Sequence, residues 1–227
     1  MGQGYFVTGT DTGVGKTTIS CALLRTFAAQ GKRVIGMKPV VAGSENGRWH
    51  DVEQLIAASN ISAARAHINP YAFDPPVSPH IAAQQAGIGI DLAVIQHAYQ
   101  ALSNQADVVI VEGAGGFLVP LNAQQTGSDL ARALNLPVIL VVGMRLGCLN
   151  HALLSAQAIL AAGLPLAGWV ANGIDPQMMA LEENIATLEQ RLDGPLLGKV
   201  PFDLEMDIQK SARLLDVVTL QGSKRGD

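Results

Sequence analysis

The stretch "YFVTGTDTGVGKTT", residues 5 to 18, constrains the fold more than any other part of the 227-residue chain. A strand-like apolar run leads into a Gly- and Thr-rich turn, which leads into the helix-like "ISCALLRTFAAQ". This order can turn backbone amides and a helix N-terminus towards phosphate groups. The common phosphate-binding loop has four residues between its first glycine and its Gly-Lys pair. Here five residues separate Gly9 from Gly15, and Thr10 takes the first-glycine position.

The loop residues predict particular contacts with a nucleotide. Lys16 would reach the β- and γ-phosphates, and Thr17 would place its hydroxyl on Mg²⁺. A Gly/Thr-rich turn without a ligand is the alternative, but GKTT falls where the helix must begin. The stretch therefore predicts a true nucleotide-binding loop.

Short apolar runs recur along the chain, and longer helix-like stretches separate most of them. The strand candidates are "YFVTG", "RVIGM", "DVVIVEG", "LPVILVVG" and "LAGWVAN", and the helix candidates are roughly 16–30, 51–60, 79–86, 91–104, 127–135, 149–163 and 176–192. This alternation predicts an α/β fold with a mostly parallel β-sheet and helices on both faces. The proline-rich "INPYAFDPPVSPH", 68–80, predicts an irregular connection that borders a site. We expect residues 1–227 to form one domain, because no repeat or linker-like shift divides them.

Composition excludes several kinds of partner. Hydrophobic residues make up 48% and charged residues 15% of the chain, enough for a large core and unlike a disordered protein. The net charge of −4 indicates no basic face for nucleic acid. The longest apolar run, "LPVILVVGM", is about half of a membrane span, and no leader is recognisable, so we expect a cytoplasmic protein. Cys21 and Cys148 form no CxxC pair and are predicted to be small core residues.

Two polar residues stand at predicted strand ends, where an open parallel sheet binds its ligands. Lys38, in "GMKPVVAGSE", would share the mouth of the site with Lys16, although a solvated surface lysine is the simpler interpretation. Two ammonium groups near one transferring phosphoryl group disperse its charge. Asn172 closes "LAGWVAN" and could pair with the N6 and N7 edge of adenine, or be a turn asparagine before Gly173.

Carboxylates suited to magnesium form a second group of candidates. Glu112 ends the strand in "DVVIVEGAGG", where related nucleotide-binding folds hold a metal carboxylate. Asp51, in "WHDVEQL", could be a second ligand or simply cap a helix. Mg²⁺ takes one or two carboxylates together with phosphates and water. His80 and His151 could cap or pack as easily as catalyse.

Taken in order, the motifs resemble those of the dethiobiotin synthetase family. The matching stretches are "YFVTGTDTGVGKTT", "MKPV.AGSE", "NPYAF..P.SPHIAA", "ADVVIVEGAGG", "LPVILVVGMRLGCLNHALLSAQAI", "LAGWVAN" and "PLLGKVPF". They run through almost the whole chain, and "VEGAGG" and "GCLNHALL" are specific to this family among phosphate-loop proteins. The five-residue gap in the loop is also the family's own form.

The resemblance implies a P-loop NTPase fold and an ATP- and Mg²⁺-dependent ligase of biotin synthesis. Such an enzyme converts 7,8-diaminopelargonic acid and CO₂ into the cyclic urea dethiobiotin and releases ADP and phosphate. One amine captures CO₂ as a carbamate, ATP phosphorylates the carbamate, and the second amine closes the ring. No protein nucleophile is needed.

The resemblance also implies roles for individual residues. The catalytic residues would be Lys38, Lys16 and Thr12. The nucleotide and its metal would contact Gly13, Val14, Gly15, Lys16, Thr17, Thr18, Asp51, Glu112, Gly113, Ala114, Gly115, Asn172, Gly173, Pro201, Phe202 and Asp203. Of these, Thr17, Asp51 and Glu112 would be the metal ligands. The substrate would contact Ala42 and Asn150, the latter from a loop, "LGCLNH", that reaches the neighbouring subunit of a homodimer with sites at its interface.

The chain departs from the family at three positions. Ala42 stands where members often have serine or threonine, so a hydrogen bond of about 0.5–1.5 kcal/mol to the substrate would be missing. This departure keeps open a paralogue with a changed substrate. Gly13 stands where some members carry glutamate and Gly173 where some carry an acidic residue, so only backbone contacts carry over there.

Two other classes of ATP-dependent protein are alternatives to a synthetase, and the motifs can be compared with theirs. Partitioning and membrane-positioning ATPases typically carry an early lysine in a "KGGVGKTT"-like loop, whereas "GTDTGVGKTT" has none before Lys16. The C-terminal "KSARLLDVVTLQGSKRGD" is also too short and too weakly amphipathic for a convincing membrane helix. An amidotransferase-type synthetase would need a glutaminase part, for which no segment is apparent.

Overall fold

The computed structural model describes residues 2–203 and 208–222. Its strands are β1 Gln3–Gly9, β2 Val34–Met37, β3 Val40–Ala42, β4 Tyr71–Phe73, β5 Val108–Gly116, β6 Val138–Met144, β7 Leu166–Gly173 and β8 Leu196–Val200. Six of them form one sheet in the order β2-β5-β1-β6-β7-β8, and every neighbouring pair is parallel. A small second sheet pairs β3 with β4, also in parallel. The predicted parallel sheet is confirmed.

The helices follow the predicted alternation closely. They are α1 Lys16–Ala29, α2 His50–Ala58, α3 Arg65–Ile68, α4 Pro79–Ala86, α5 Leu92–Ser103, α6 Gly127–Leu134, α7 Cys148–Ala161, α8 Leu181–Glu189, α9 Ile208–Arg213 and α10 Val218–Gly222. The prediction of a helix over 176–192 was wrong at its start. Asp175 accepts a hydrogen bond from the Gln177 amide and forms a local turn that delays the helix.

Several short elements escaped prediction, namely β3, β4, β8, α3, α9 and α10. Residues 68–80 were expected to be irregular, but they contain β4, which pairs with β3 from Val40↔Tyr71 to Ala42↔Phe73. β8 is an edge strand that, among the described strands, pairs with β7 alone. Strands of three to five residues are too short for alternation to distinguish them from loop.

The sheet separates two hydrophobic clusters, because successive side chains of a strand point to opposite faces. In β1, Tyr5 and Val7 pack on the face that carries α1, α9 and α10, while Phe6 packs on the face that carries α5, α6, α7 and α8. Cys21 and Cys148 are free and buried, one in each cluster, as predicted for small core residues. The single domain over residues 1–227 stays a prediction.

Because all six strands run in one direction, their carboxyl ends meet at one edge of the sheet. The loop 10–15 after β1, Lys38 after β2 and Asn172 near the end of β7 lie at this edge. The prediction that Glu112 ends its strand was wrong, because Glu112 is the fifth of nine residues in β5, but the pairing of β5 with β2 stops at Val111 beside it. No helix in residues 2–203 or 208–222 combines the length and apolarity that crossing a bilayer would require. The C-terminal segment weighed above as a membrane helix, 210–227, is described only as far as residue 222.

Candidate active site

The phosphate-binding loop wraps over the start of α1. Gly15 occupies the N-cap position with φ 88°, a left-handed conformation that a glycine adopts without strain. A side chain at Gly15 would also collide with the carboxamide of Asn172. Lys16 is 7% exposed, and its Nζ donates a 2.9 Å hydrogen bond to the carbonyl of Asp11 within the loop. The predicted strand, loop and helix are therefore all present.

Lys38 forms the centre of a charged cluster at the carboxyl ends of β2 and β5. Its Nζ donates to Oε1 of Glu112 at 2.6 Å and to Oδ2 of Asp51 at 2.7 Å. The Lys38 side chain is 4% exposed and that of Glu112 is fully buried, whereas that of Asp51 is partly open to solvent. The surface-lysine interpretation is therefore wrong, because Lys38 is a buried cation held by two carboxylates.

Asp51 does not cap its helix. The N-cap of α2 is Trp49, and Asp51 is the second residue of the helix, so its side chain is free to reach Lys38. The helix-cap interpretation of Asp51 is therefore wrong. Trp49 is itself anchored by donation from its Nε1 to the carbonyl of Phe73 at 2.9 Å.

The cluster shifts the protonation of its members in different directions. Burial and the nearby charge of Lys38 lower the pKa of Lys16 to about 8. Burial also opposes the charged form of Lys38, but the attraction of Glu112 and Asp51 prevails and raises its pKa. For Asp51 the same attraction outweighs burial, so its pKa is lowered. Lys38 and Asp51 are therefore charged at neutral pH.

The oxygen atoms beside this cluster suit a magnesium ion. Oγ1 of Thr17 donates to Oε1 of Glu112 at 2.9 Å, while Oε2 of Glu112 is buried and has no hydrogen-bond partner among the described residues. Across residues 2–203 and 208–222, no group of three or more His, Cys, Asp or Glu side chains converges. Two carboxylates and a hydroxyl fit Mg²⁺, which keeps water and phosphate oxygens for its remaining positions.

A cleft of about 220 Å³ opens beside the loop. Its walls include the predicted nucleotide residues Gly13, Gly15, Thr18, Asn172, Gly173, Pro201, Phe202 and Asp203. A Cβ at Gly173 would lie 2.7 Å from the Phe202 amide nitrogen, so glycine allows β7 and the 201–203 segment to approach closely. Phe202 is 40% exposed and offers an aromatic surface at this cleft.

Asn172 holds the loop in place. Its Nδ2 donates to the carbonyl of Val14 at 2.9 Å, and the residue is 7% exposed within β7. The turn interpretation of Asn172 is therefore wrong. A carbonyl can only accept, so this bond fixes the orientation of the amide.

The remaining residues predicted to bind nucleotide or substrate lie apart from one another around the carboxyl ends of the strands. Gly113, Ala114 and Gly115 complete β5, and a Cβ on Gly115 would lie 3.6 Å from Oγ1 of Thr12. Gly13 has φ 76° with open space where a side chain would stand. Ala42 is half-buried at the end of β3, and Asn150 is exposed in the first turn of α7. Their binding roles stay predictions.

Several residues that shape the site were not singled out from the sequence. Asn69, 7% exposed, donates from Nδ2 to the carbonyl of Lys38 at 2.7 Å and so fixes the backbone of the catalytic candidate. Asp11 pairs with Arg145 at 2.6 Å across the edge of the sheet. Asn69 lies in the proline-rich stretch 68–80, which was expected to border a site, so the sequence did point to its neighbourhood. No motif indicated the pair of Asp11 and Arg145.

A parallel sheet, a Gly-Lys-Thr loop at the start of α1 and a buried glutamate of β5 beside it define a P-loop NTPase. A family model described as an AAA domain matches residues 3–210. The ATP-dependent dethiobiotin synthetase BioD of Nitrosospira multiformis is 64% identical over 97% of each chain, and that of Aromatoleum aromaticum is 54% identical over 88% of this chain and 90% of the relative. The chain belongs to the ATP-dependent dethiobiotin synthetase family.

A more distant likeness concerns the fold alone. The septum site-determining protein MinD of Pyrococcus horikoshii OT3, solved as a complex with Mg-ADP, superposes with a TM-score of 0.58 at 15% identity. The match covers 100% of this chain and 91% of that one. This septum site-determining protein therefore shares the fold of the chain, whereas the relatives at 54% and 64% identity are dethiobiotin synthetases.

Proposed function

We propose that the protein is an ATP-dependent dethiobiotin synthetase that converts 7,8-diaminopelargonic acid and CO₂ into dethiobiotin, with release of ADP and phosphate. The observation that carries this proposal is the buried ammonium of Lys38, held by Glu112 and Asp51 beside the phosphate-binding loop. Family membership and near-full-length identity to named synthetases support the same conclusion.

The chemistry suits a site without a nucleophilic side chain. One substrate amine takes up CO₂ to form a carbamate, whose oxygen then attacks the γ-phosphorus and displaces ADP. The second amine, tethered in the same molecule, attacks the carbonyl of the mixed anhydride and expels phosphate as the ring closes. Holding the reacting groups in line accounts for much of the rate, because effective molarities reach about 10⁵ M or more.

Lys38 and Lys16 contribute the charge that this reaction needs. Lys38 stays protonated in its carboxylate pair, so it can donate to the carbamate oxygens and then to the transferring phosphoryl group. Lys16, at the start of α1, neutralises the β- and γ-phosphates. Thr12, exposed in the loop, contributes a hydroxyl on the substrate side.

The oxygen ligands of the site suit Mg²⁺. When bound, the ion would neutralise negative charge on the phosphates. The hydroxyl of Thr17 and carboxylate oxygens of Glu112 and Asp51 would hold it, and the unpartnered Oε2 of Glu112 supports that assignment. The base of ATP occupies the 220 Å³ cleft, where Asn172, Gly173 and the segment from Pro201 to Asp203 contact it.

Assembly is part of the proposal. We assign Asn150 to the substrate carboxylate of the neighbouring subunit in a homodimer, and Ala42 to the substrate side of the site. Apolar side chains beside Asn150 support an interface there: Leu146 is 97% and Leu154 56% exposed. Burying a fully exposed leucine such as Leu146 in a partner is favourable by about 1.5–3 kcal/mol, and burying the exposed part of Leu154 by about half of that. We further propose that the enzyme works in the cytoplasm.

The test is ADP release by the purified protein with Mg-ATP and bicarbonate, with and without 7,8-diaminopelargonic acid, while mass spectrometry detects dethiobiotin. ADP and dethiobiotin appearing together, and only with the diamine, is the expected result. ADP formed without the diamine, and no dethiobiotin with it, would instead indicate a switch ATPase or a paralogue in which Ala42 marks a changed substrate.

A further inference from the structure

Asp11, in the phosphate-binding loop, uses three oxygen atoms for three different partners. Oδ1 accepts from the Thr12 amide at 2.7 Å, and Oδ2 accepts from Nη2 of Arg145 at 2.6 Å. Its backbone carbonyl accepts from Nζ of Lys16 at 2.9 Å. Asp11 therefore contacts both loop residues that were predicted to be catalytic, Thr12 on the substrate side and Lys16 at the phosphates.

Arg145 anchors the other end of this contact. It directly follows β6, and its carbonyl accepts from the Cys148 amide at 3.0 Å, which fixes it against the start of α7. The loop also contacts β6 through Thr10. The Thr10 amide donates to the Val141 carbonyl at 3.0 Å, and the Gly143 amide donates to Oγ1 of Thr10 at 3.3 Å. The side chain of Arg145 adds a further contact between the loop and the end of β6, at Asp11, the residue after Thr10.

We propose that Asp11 and Arg145 are positioning residues. Their ion pair holds the phosphate-binding loop in the conformation that places Lys16 for ATP and Thr12 for the substrate, and ties that loop to the start of α7. The inference rests on the proposed nucleotide site. The Thr12 amide and then Arg145 lower the pKa of Asp11, so the carboxylate is charged at any working pH. Asp11 and Arg145 are 48% and 43% exposed, and we therefore expect an effect on geometry and a small one on stability.

Calorimetric titration with the Mg²⁺ complex of an ATP analogue whose β–γ bridge resists hydrolysis tests this role. Asp11→Asn and Arg145→Met each should weaken binding by about 3- to 10-fold. The double variant should bind no more weakly than the weaker single variant, because both changes remove one contact. Arg145→Lys, which keeps a positive charge for Oδ2, should bind within about twofold of the parent.

The chain offers a matched control at the opposite end of the sheet. Arg33 and Asp107 form a similarly exposed pair at 2.8 Å, just before β2 and β5. Arg33→Met removes a bidentate pair, so it should alter the melting temperature at least as much as Arg145→Met does while leaving binding unchanged. Binding of Asp11→Asn or Arg145→Met within twofold of the parent, or losses that multiply in the double variant, would overturn the inference.

The same samples distinguish the inference from the proposed function. A parent protein that binds the analogue but forms no dethiobiotin would overturn the synthetase assignment, and the variant affinities would still decide the role of Asp11 and Arg145. A parent protein that does not bind the analogue would overturn both.

Discussion

Lys38 and Glu112 form a buried ion pair across neighbouring strands, with Nζ and Oε1 2.6 Å apart. β2 and β5 pair in parallel as far as Met37↔Val111. Lys38 and Glu112 are the next residues of the two chain segments, so they lie side by side at the carboxyl end of this pairing. A buried carboxylate without a cation is costly, since an uncompensated charge in the interior destabilises a fold by about 3–5 kcal/mol. The pair therefore serves both the fold and the site.

Lys38→Ala is expected to lower kcat for dethiobiotin formation by at least about 100-fold, because it removes a charge donor to the carbamate and the phosphoryl group. It should also lower the free energy of unfolding, since Glu112 loses its partner. Lys38→Ala combined with Glu112→Gln should recover stability but not activity, as steady-state rates and thermal unfolding would show. Lys199→Ala, at an exposed pair with Glu182, is the control lysine, and activity of Lys38→Ala near the control's would remove Lys38 from the mechanism.

Nucleotide binding is expected to weaken as pH rises through about 8. Burial and Lys38 lower the pKa of Lys16 to about 8, and only its protonated form attracts the triphosphate. Below that pH the charge is already present and affinity is level; above it, affinity falls by about tenfold for each pH unit. Calorimetric titrations with Mg-ATP between roughly pH 6.5 and 9.5 would detect the fall in affinity. Lys16→Met should bind weakly at every pH, and a parallel decline in that variant would contradict the assignment.

Asp51→Asn and Glu112→Gln should each raise the Mg²⁺ concentration needed for half-maximal activity by at least about tenfold. Both side chains supply oxygens beside Thr17, and an amide is a weaker ligand for a hard cation. Glu53→Gln is the matched control, because Glu53 lies on the same helix but pairs with Arg65. A metal titration identical to the control's would remove the carboxylate in question from the magnesium site.

Asn150→Ala should raise the KM for 7,8-diaminopelargonic acid by about 5- to 10-fold, the effect of losing one hydrogen bond to a charged group. The KM for ATP should not change. Gln157→Ala, exposed two turns further along α7, provides the comparison. An increase confined to the KM for ATP would place Asn150 at the nucleotide instead.

Gly173→Ala is expected to lower stability by about 1–3 kcal/mol and to weaken ATP binding. Its Cβ would lie 2.7 Å from the Phe202 amide nitrogen, which would separate β7 from the segment beside the cleft. Gly89→Ala adds a methyl group in open space and should leave both properties unchanged. Denaturant unfolding and nucleotide titration measure the two effects, and equal behaviour of the two variants would show that the close approach is dispensable.

The positions of Lys38 and Glu112 could be predicted because parallel strands bring their carboxyl ends together, whatever their separation in the chain. The contact of Asp51 with Lys38 could not, because the intervening segment contains β3 and a turn whose path depends on tertiary packing. The edge strand β8 was missed because five residues carry too little pattern. Asp11 and Arg145 are 134 residues apart in the chain and form a single charged contact. No local sequence pattern predicts a contact of this kind.

The bond from Nδ2 of Asn172 to Val14 has a consequence for the choice of base. A reversed amide would set Oδ1 against the Val14 carbonyl, two acceptors facing each other, so the carboxamide is held in one orientation. In that orientation it presents an acceptor together with its second N–H. Adenine offers the matching amino group and ring nitrogen, whereas guanine offers two acceptors on the same edge. If Asn172 contacts the base as proposed, the Val14 carbonyl would therefore make the cleft favour ATP over GTP.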